Sequence, residues 1–204
     1  GGYLTDYWTD EALSAIDANK DRPFFIYLAH WAVHSPLQAT REDYEAVGDI
    51  QPHRLRVYAA MVRALDRSVG RILDKLEEEG LADNTLVLFS SDNGAPGYIG
   101  LPDVNAPYRG WKIPLFEGGV RVPLMMRWPA RWRGNRHCES VVSLVDLAPT
   151  LLDIAGVPPA EEVEGNSLAG VAAGEEEPAR DYAIVENRTT RNGLYLVTVV
   201  KDRY

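Results

Sequence analysis

Residues 85–100 read TLVLFSSDNGAPGYIG. Leu86 to Phe89 is a short, wholly apolar run, as expected of a strand covered on both faces. It breaks abruptly into Ser90, Ser91, Asp92, Asn93 and Gly94. In open α/β sheets ligands bind beyond the carboxyl ends of the strands, where Asp92 and Asn93 then stand. A carboxylate beside an amide oxygen offers two hard oxygen donors, suited to Ca2+, Mg2+ or Mn2+. The same three residues, Asp-Asn-Gly, also make an ordinary turn, and the local sequence alone favours the turn. Gly94, Gly97 and Gly100 are spaced GxxGxxG, and Pro102 and Pro107 follow where a dinucleotide loop would open a helix. A nucleotide-binding loop is therefore excluded.

Working outward, the 26 residues from Arg54 to Glu79 carry Leu55, Tyr58, Val62, Leu65, Val69, Ile72 or Leu73, and Leu76 at helical spacing, closed by Gly80. This predicts a long amphipathic helix with a glycine just past its end. Thr9, followed by Asp10 and Glu11, reads as the N-cap of an earlier helix that runs to Asn19. PFFIYLA, 23–29, predicts a strand covered on both faces, VRVPLMMRWP, 120–129, another, and LVDLAPTLLDIAG, 144–156, a helix. Helices alternating with continuous apolar strands predict an α/β fold with a largely parallel sheet flanked by helices. VPPAEEVEGNSLAGVAAGEEEPAR, 157–180, reads as an exposed loop-rich excursion. YAIVE and GLYLVTVV then predict antiparallel strands that begin a smaller C-terminal sheet. The expected division is a main domain over 1–178 and the start of a subdomain over 179–204.

Composition narrows the function classes. The chain has 204 residues, 46% of them hydrophobic, enough for one sizeable core. Its formal net charge of −9 disfavours non-specific attraction to nucleic acid or anionic lipid. No apolar run approaches the ~18–20 residues of a membrane-spanning helix. Cys138 is the single cysteine, so neither an internal disulfide nor a cysteine-based zinc site is available. The first residues, GGYLTDYWTDEAL, lack an initiator Met and a signal-like region, and the chain stops within a strand-like run. Both ends read as cut from longer elements.

Three further places bear chemistry-prone residues. In LAHWAVHSP, His30 and His34 are four apart, but Pro36 and Trp31 argue against a helical metal-binding pair. A loop at a strand's end instead presents His34 as a group able to protonate a leaving oxygen. In PYRGWKIPLFEGGVRVP, Lys112 between Trp111 and Ile113 can set its ammonium against an anionic ester. Surface lysine and structural histidine are the plain alternatives. Gly165-x-Ser167-x-Ala169 imitates a hydrolase nucleophile elbow but follows acidic loop instead of a strand. Asn187-Arg188-Thr189 forms a glycosylation sequon.

Taken in order, PFFIYLAHWAVHSPLQ, ALDRSVGRILDKLEEEGLADNTLVLFSSDNG, YRGWKIPLFEGGVRVP and VDLAPTLLDIAGV resemble the sulfatase family of the alkaline-phosphatase superfamily. The resemblance covers roughly residues 3–170. It implies that Asp92 and Asn93 are two ligands of a divalent cation, usually calcium. It also implies that His34 contacts the sulfate ester and assists its leaving group, and that Lys112 binds a sulfate oxygen. His30 has no counterpart in that pattern.

The resemblance further implies a formylglycine nucleophile, made from Cys or Ser in a Cys/Ser-x-Pro-x-Arg signature. These 204 residues contain no such signature, and Cys138 lacks Pro and Arg at the required offsets. The nucleophile and two further aspartate ligands are thus expected upstream, and this piece alone is expected to be inactive. The substrate implied is a small-molecule or saccharide sulfate ester; the compartment is left open, members of the family often being exported or lysosomal. A phosphonate monoester or phosphodiester hydrolase of the same superfamily, or a non-catalytic remnant, are the competing readings.

Overall fold

The computed structural model describes residues 2–175, 180–188, 193 and 195–201. The chain forms two compact units, Gly1–Thr85 and Leu86–Tyr204. The boundary expected between 178 and 179 lies outside the described residues.

The first unit is helical. α1 (Leu4–Asn19) packs on α3 (His53–Glu78), and the short α2 (Arg41–Ala46) joins them. Ala12, Ile16, Ala60, Met61, Ala64 and Leu76 are buried, and the alanines let the two long helices approach closely. Val62, expected in the buried stripe, is 44% exposed, because the contact face runs through the small residues Ala60, Ala64 and Ser68. Charge pairs follow the seam: Asp6 with Arg67, Asp10 with Arg71, Asp17 with Lys75 and Lys20 with Glu79. Residue numbers rise together on both sides, so α1 and α3 run parallel, as crossover connections produce.

Thr9 does not cap α1. The helix starts five residues earlier, at Leu4 after Tyr3, so Thr9 lies inside it, wholly buried. Gly80 takes the predicted left-handed conformation beyond α3, with φ +68°. In α2 the Thr40 hydroxyl accepts from the Asp43 amide at 3.0 Å and donates to the Asp43 carboxylate at 2.7 Å. Asp43 is fully buried and also takes hydrogen bonds from Arg63 and Arg67.

The run 23–29 differs from expectation. It forms no paired strand, and Phe25 and Tyr27 are 73% and 83% exposed. Apolar content alone cannot supply a hydrogen-bonding neighbour, and none of the described strands pairs with it.

In the second unit β1 (Val87–Ser90) pairs antiparallel with β2 (Leu124–Arg127), Ser90 opposite Leu124. β3 (Tyr182–Arg188) pairs antiparallel with β4 (Tyr195–Lys201), as expected of the C-terminal strands. The structure is therefore α/β, but the described strands make two small antiparallel sheets and no parallel pairing. The one-turn α4 (Glu117–Val120) precedes β2 in the connection from β1, and α5 (Leu147–Ile154) and α6 (Ala169–Ala173) follow β2 and precede β3 in the chain. Two buried side chains tie the excursion that follows α5 back to that helix. The Asp146 carboxylate accepts from the Asn166 amide at 2.9 Å, and Thr150 Oγ1 accepts from the Leu168 amide at 2.8 Å. Among the described residues no helix is long and apolar enough to cross a membrane.

Candidate active site

The loop leaving β1 is held by backbone and by one amide side chain. The Gly94 amide donates to Gly119 O at 3.0 Å, and the Lys112 amide donates to Ala95 O at 3.2 Å. Asn105 completes the frame: its Oδ1 accepts from the Ala95 amide at 2.9 Å, and its Nδ2 donates to Ala95 O and Gly110 O. A Cβ on Gly94 would run into the Gly118 carbonyl, so glycine is required for the two loops to meet. Asp92, Asn93 and Lys112 are thereby brought onto one stapled pair of loops. Asn105 carries no catalytic signature in the sequence; only an Asn between two prolines hinted at a turn.

Within this frame Asp92 is exposed, whereas Asn93 Oδ1 is buried and has no hydrogen-bond partner among the described residues. A buried amide oxygen without a donor costs roughly 1–3 kcal/mol, a cost that a cation removes. The donor set fits part of a hard cation's shell: one carboxylate, one amide oxygen, no thiol. Among the described residues no three His, Cys, Asp or Glu side chains cluster as a complete metal site. Asp92 and Asn93 alone would therefore supply only part of such a shell.

Lys112 is half-buried, and its neighbour Ile113 is held at φ +97°, a strained conformation for a β-branched residue. The carbonyl of Ile113 accepts from Asn187 Nδ2 at 3.1 Å. The sequon asparagine therefore braces the turn that carries Lys112, while Thr189 lies outside the described residues. Trp111 lies over Gly97 and keeps 45% of its surface exposed.

His34 belongs to the first unit. Its amide donates to Trp31 O at 2.9 Å, closing a tight turn, and its ring tilts against Trp31 with centroids 5.3 Å apart. His34 Nδ1 lies 2.8 Å from Ser35 O, and a carbonyl can only accept, so Nδ1 carries a proton. His30 sits elsewhere in the same segment, its Nε2 2.9 Å from Ser68 Oγ.

Comparison with known proteins adds a family. The sequence profile of the Sulfatase family matches residues 1–157. A protein named sulfatase from Formosa agariphila is 39% identical over 198 residues, covering 88% of this chain and 35% of that protein. The N-acetylgalactosamine-6-sulfatase of Canis lupus familiaris is 39% identical over 166 residues, covering 78% of this chain and 30% of that enzyme. The crystal structure of Ps i-CgsB in complex with k-i-k-neocarrahexaose superposes with a TM-score of 0.87 at 34% identity. That match covers 98% of this chain and 44% of the other. The chain spans about a third of the length of these curated relatives.

Proposed function

This chain belongs to the sulfatase family, and from that premise we propose that it supplies part of the active site of a sulfuric ester hydrolase. The observation that carries the proposal is the buried, partnerless Asn93 Oδ1 beside Asp92, on a loop stapled to the one that carries Lys112. Asp92 and Asn93 hold a divalent cation, most naturally Ca2+, whose other ligands come from outside these residues. When bound, the cation stabilises negative charge on the sulfate oxygens.

Lys112 meets that charge with a compact ammonium, on a turn braced by Asn187 at the Ile113 carbonyl. His34, with Nδ1–H donated to Ser35 O, gives its Nε2 proton to the departing oxygen as the S–O bond breaks. The nucleophile, a formylglycine by family pattern, lies outside these 204 residues. The unpaired, exposed run 23–29 supports a larger sheet, largely parallel, completed by strands outside the described residues.

A saccharide sulfate ester is the substrate class we favour. Trp111 offers an exposed ring on the Lys112 loop, where a sugar face can stack. Two relatives point the same way: one is an N-acetylgalactosamine-6-sulfatase, and another was crystallised with k-i-k-neocarrahexaose. The test is turnover by the protein carrying this chain of matched sulfate and phosphonate monoesters, with and without Lys112→Ala. Sulfate release that Lys112→Ala lowers by ~10²-fold or more is expected. Preference for the phosphonate would move the assignment to the neighbouring hydrolase class.

A further inference from the structure

A proton count through two buried hydroxyls, those of Thr9 and Ser68, fixes the state of His30. Thr9 Oγ1 lies 2.7 Å from Thr5 O and 2.6 Å from Ser68 Oγ, and Ser68 Oγ lies 2.9 Å from His30 Nε2. Thr9 and Ser68 are 0% and 1% exposed, so water does not intervene. Oxygens this close share a proton. Thr5 O can only accept, so Thr9 spends its single hydrogen there. Ser68 must then donate to Thr9, and it has no second hydrogen for His30. The contact to Ser68 is made only if His30 Nε2 carries the proton. The other nitrogen, Nδ1, is buried and has no partner among the described residues.

We propose that His30 is a positioning residue, locked as the Nε2–H tautomer by the Thr5–Thr9–Ser68 relay, which anchors the turn that presents His34. His30 opens the segment whose next residue, Trp31, accepts the His34 amide and packs its ring on the His34 ring. Tying His30 to α1 and α3 therefore fixes the turn at its start, while the Ser35 carbonyl fixes the imidazole at its end. Burial holds the His30 pKa below its ordinary value of 6.5, so the ring stays neutral and the relay keeps its direction. The positioning role rests on the proposed acid function of His34; the tautomer does not.

The experiment is nitrogen-15 spectroscopy of the histidine rings in the protein carrying this chain, with His30 assigned from its loss in His30→Gln. The expected parent shows one His30 tautomer, protonated on Nε2, at about pH 8. Thr9→Val frees the Ser68 hydrogen and should yield a mixture of tautomers. Ser68→Ala and His30→Phe should shift the His34 ring signals, and His30→Gln, which keeps a donor toward Ser68, should leave them in place. On a sulfate ester with a poor leaving group, His30→Phe should lower kcat ~10-fold with KM unchanged, and His30→Gln should restore most of it. A parent His30 protonated on Nδ1, or His34 signals unmoved in both Ser68→Ala and His30→Phe, would overturn the proposal. A protein that passes both spectroscopic tests but turns over no sulfate ester overturns the reaction reading and leaves the relay standing.

Discussion

The backbone amide of Lys112 donates to the carbonyl of Ala95, 3.2 Å away and two residues beyond Asn93. One hydrogen bond thus couples the loop with the oxygen donors to the loop with the ammonium. The Asn105 side chain reinforces it with three more, to both polar groups of Ala95 and to Gly110 O.

Asn105→Ala removes all three of those bonds at a half-buried position. At about 1 kcal/mol for each net bond, the second unit should lose ~2–3 kcal/mol, read by denaturant unfolding. Cation affinity should fall as well, although Asn105 touches no proposed ligand atom. Unchanged affinity in a folded Asn105→Ala protein would show that the staple does not position the site.

Asn93→Ala and Asp92→Asn separate the two oxygen donors. Asp92→Asn removes a charge and should weaken Ca2+ binding at least ~10-fold by calorimetry. Asn93→Ala should also weaken binding, yet raise the stability of the cation-free protein, because it deletes a buried acceptor that nothing satisfies. Opposite signs for the free and loaded protein are the signature of a ligand; a loss in both states would mark a structural asparagine.

Acid should unfold the first unit through Asp43. Burial alone would raise this carboxyl, but hydrogen bonds from Arg67, Thr40 and Arg63 outweigh burial and hold its pKa below the ordinary 3.8. The unfolded chain therefore binds the proton more readily, so the contribution is complete above pH 3.8 and is lost as pH falls below it. Asp43→Asn should cost ~2–3 kcal/mol at neutral pH, less than a fully buried pair because the arginines are partly exposed. The same variant should flatten the acid limb of the stability curve, followed by circular dichroism against pH.

Much of the helical unit and of the site loops is legible in the sequence, and the failures have physical causes. The α3 periodicity and Gly80 fix that helix within a residue. The α1 start was misplaced because a Thr followed by acids is a cap only if its hydroxyl faces the helix end, and Thr9 faces Ser68 instead. The excursion after α5 reads as loose because its anchors, Asp146 and Thr150, lie in the preceding helical segment, where polar residues look solvent-facing. At the site, the Asp-Asn pair and Lys112 stand out by residue type, but Asn105, Asn187 and the glycine contacts act through backbone carbonyls and leave no periodic or compositional mark. His30 was visible only as a second histidine; its state follows from distances to three hydroxyl and carbonyl oxygens.

The most direct test of the central claim is the dependence of sulfate ester hydrolysis on leaving-group acidity, in the protein carrying this chain and in its His34→Ala variant. Protonation of the departing oxygen is worth ~10²–10⁴ in rate and matters most for basic leaving groups. The account predicts that His34→Ala leaves esters of acidic phenols nearly unaffected, slows alkyl or sugar sulfates by that factor, and steepens the plot accordingly. A small, uniform loss across all leaving groups would contradict it.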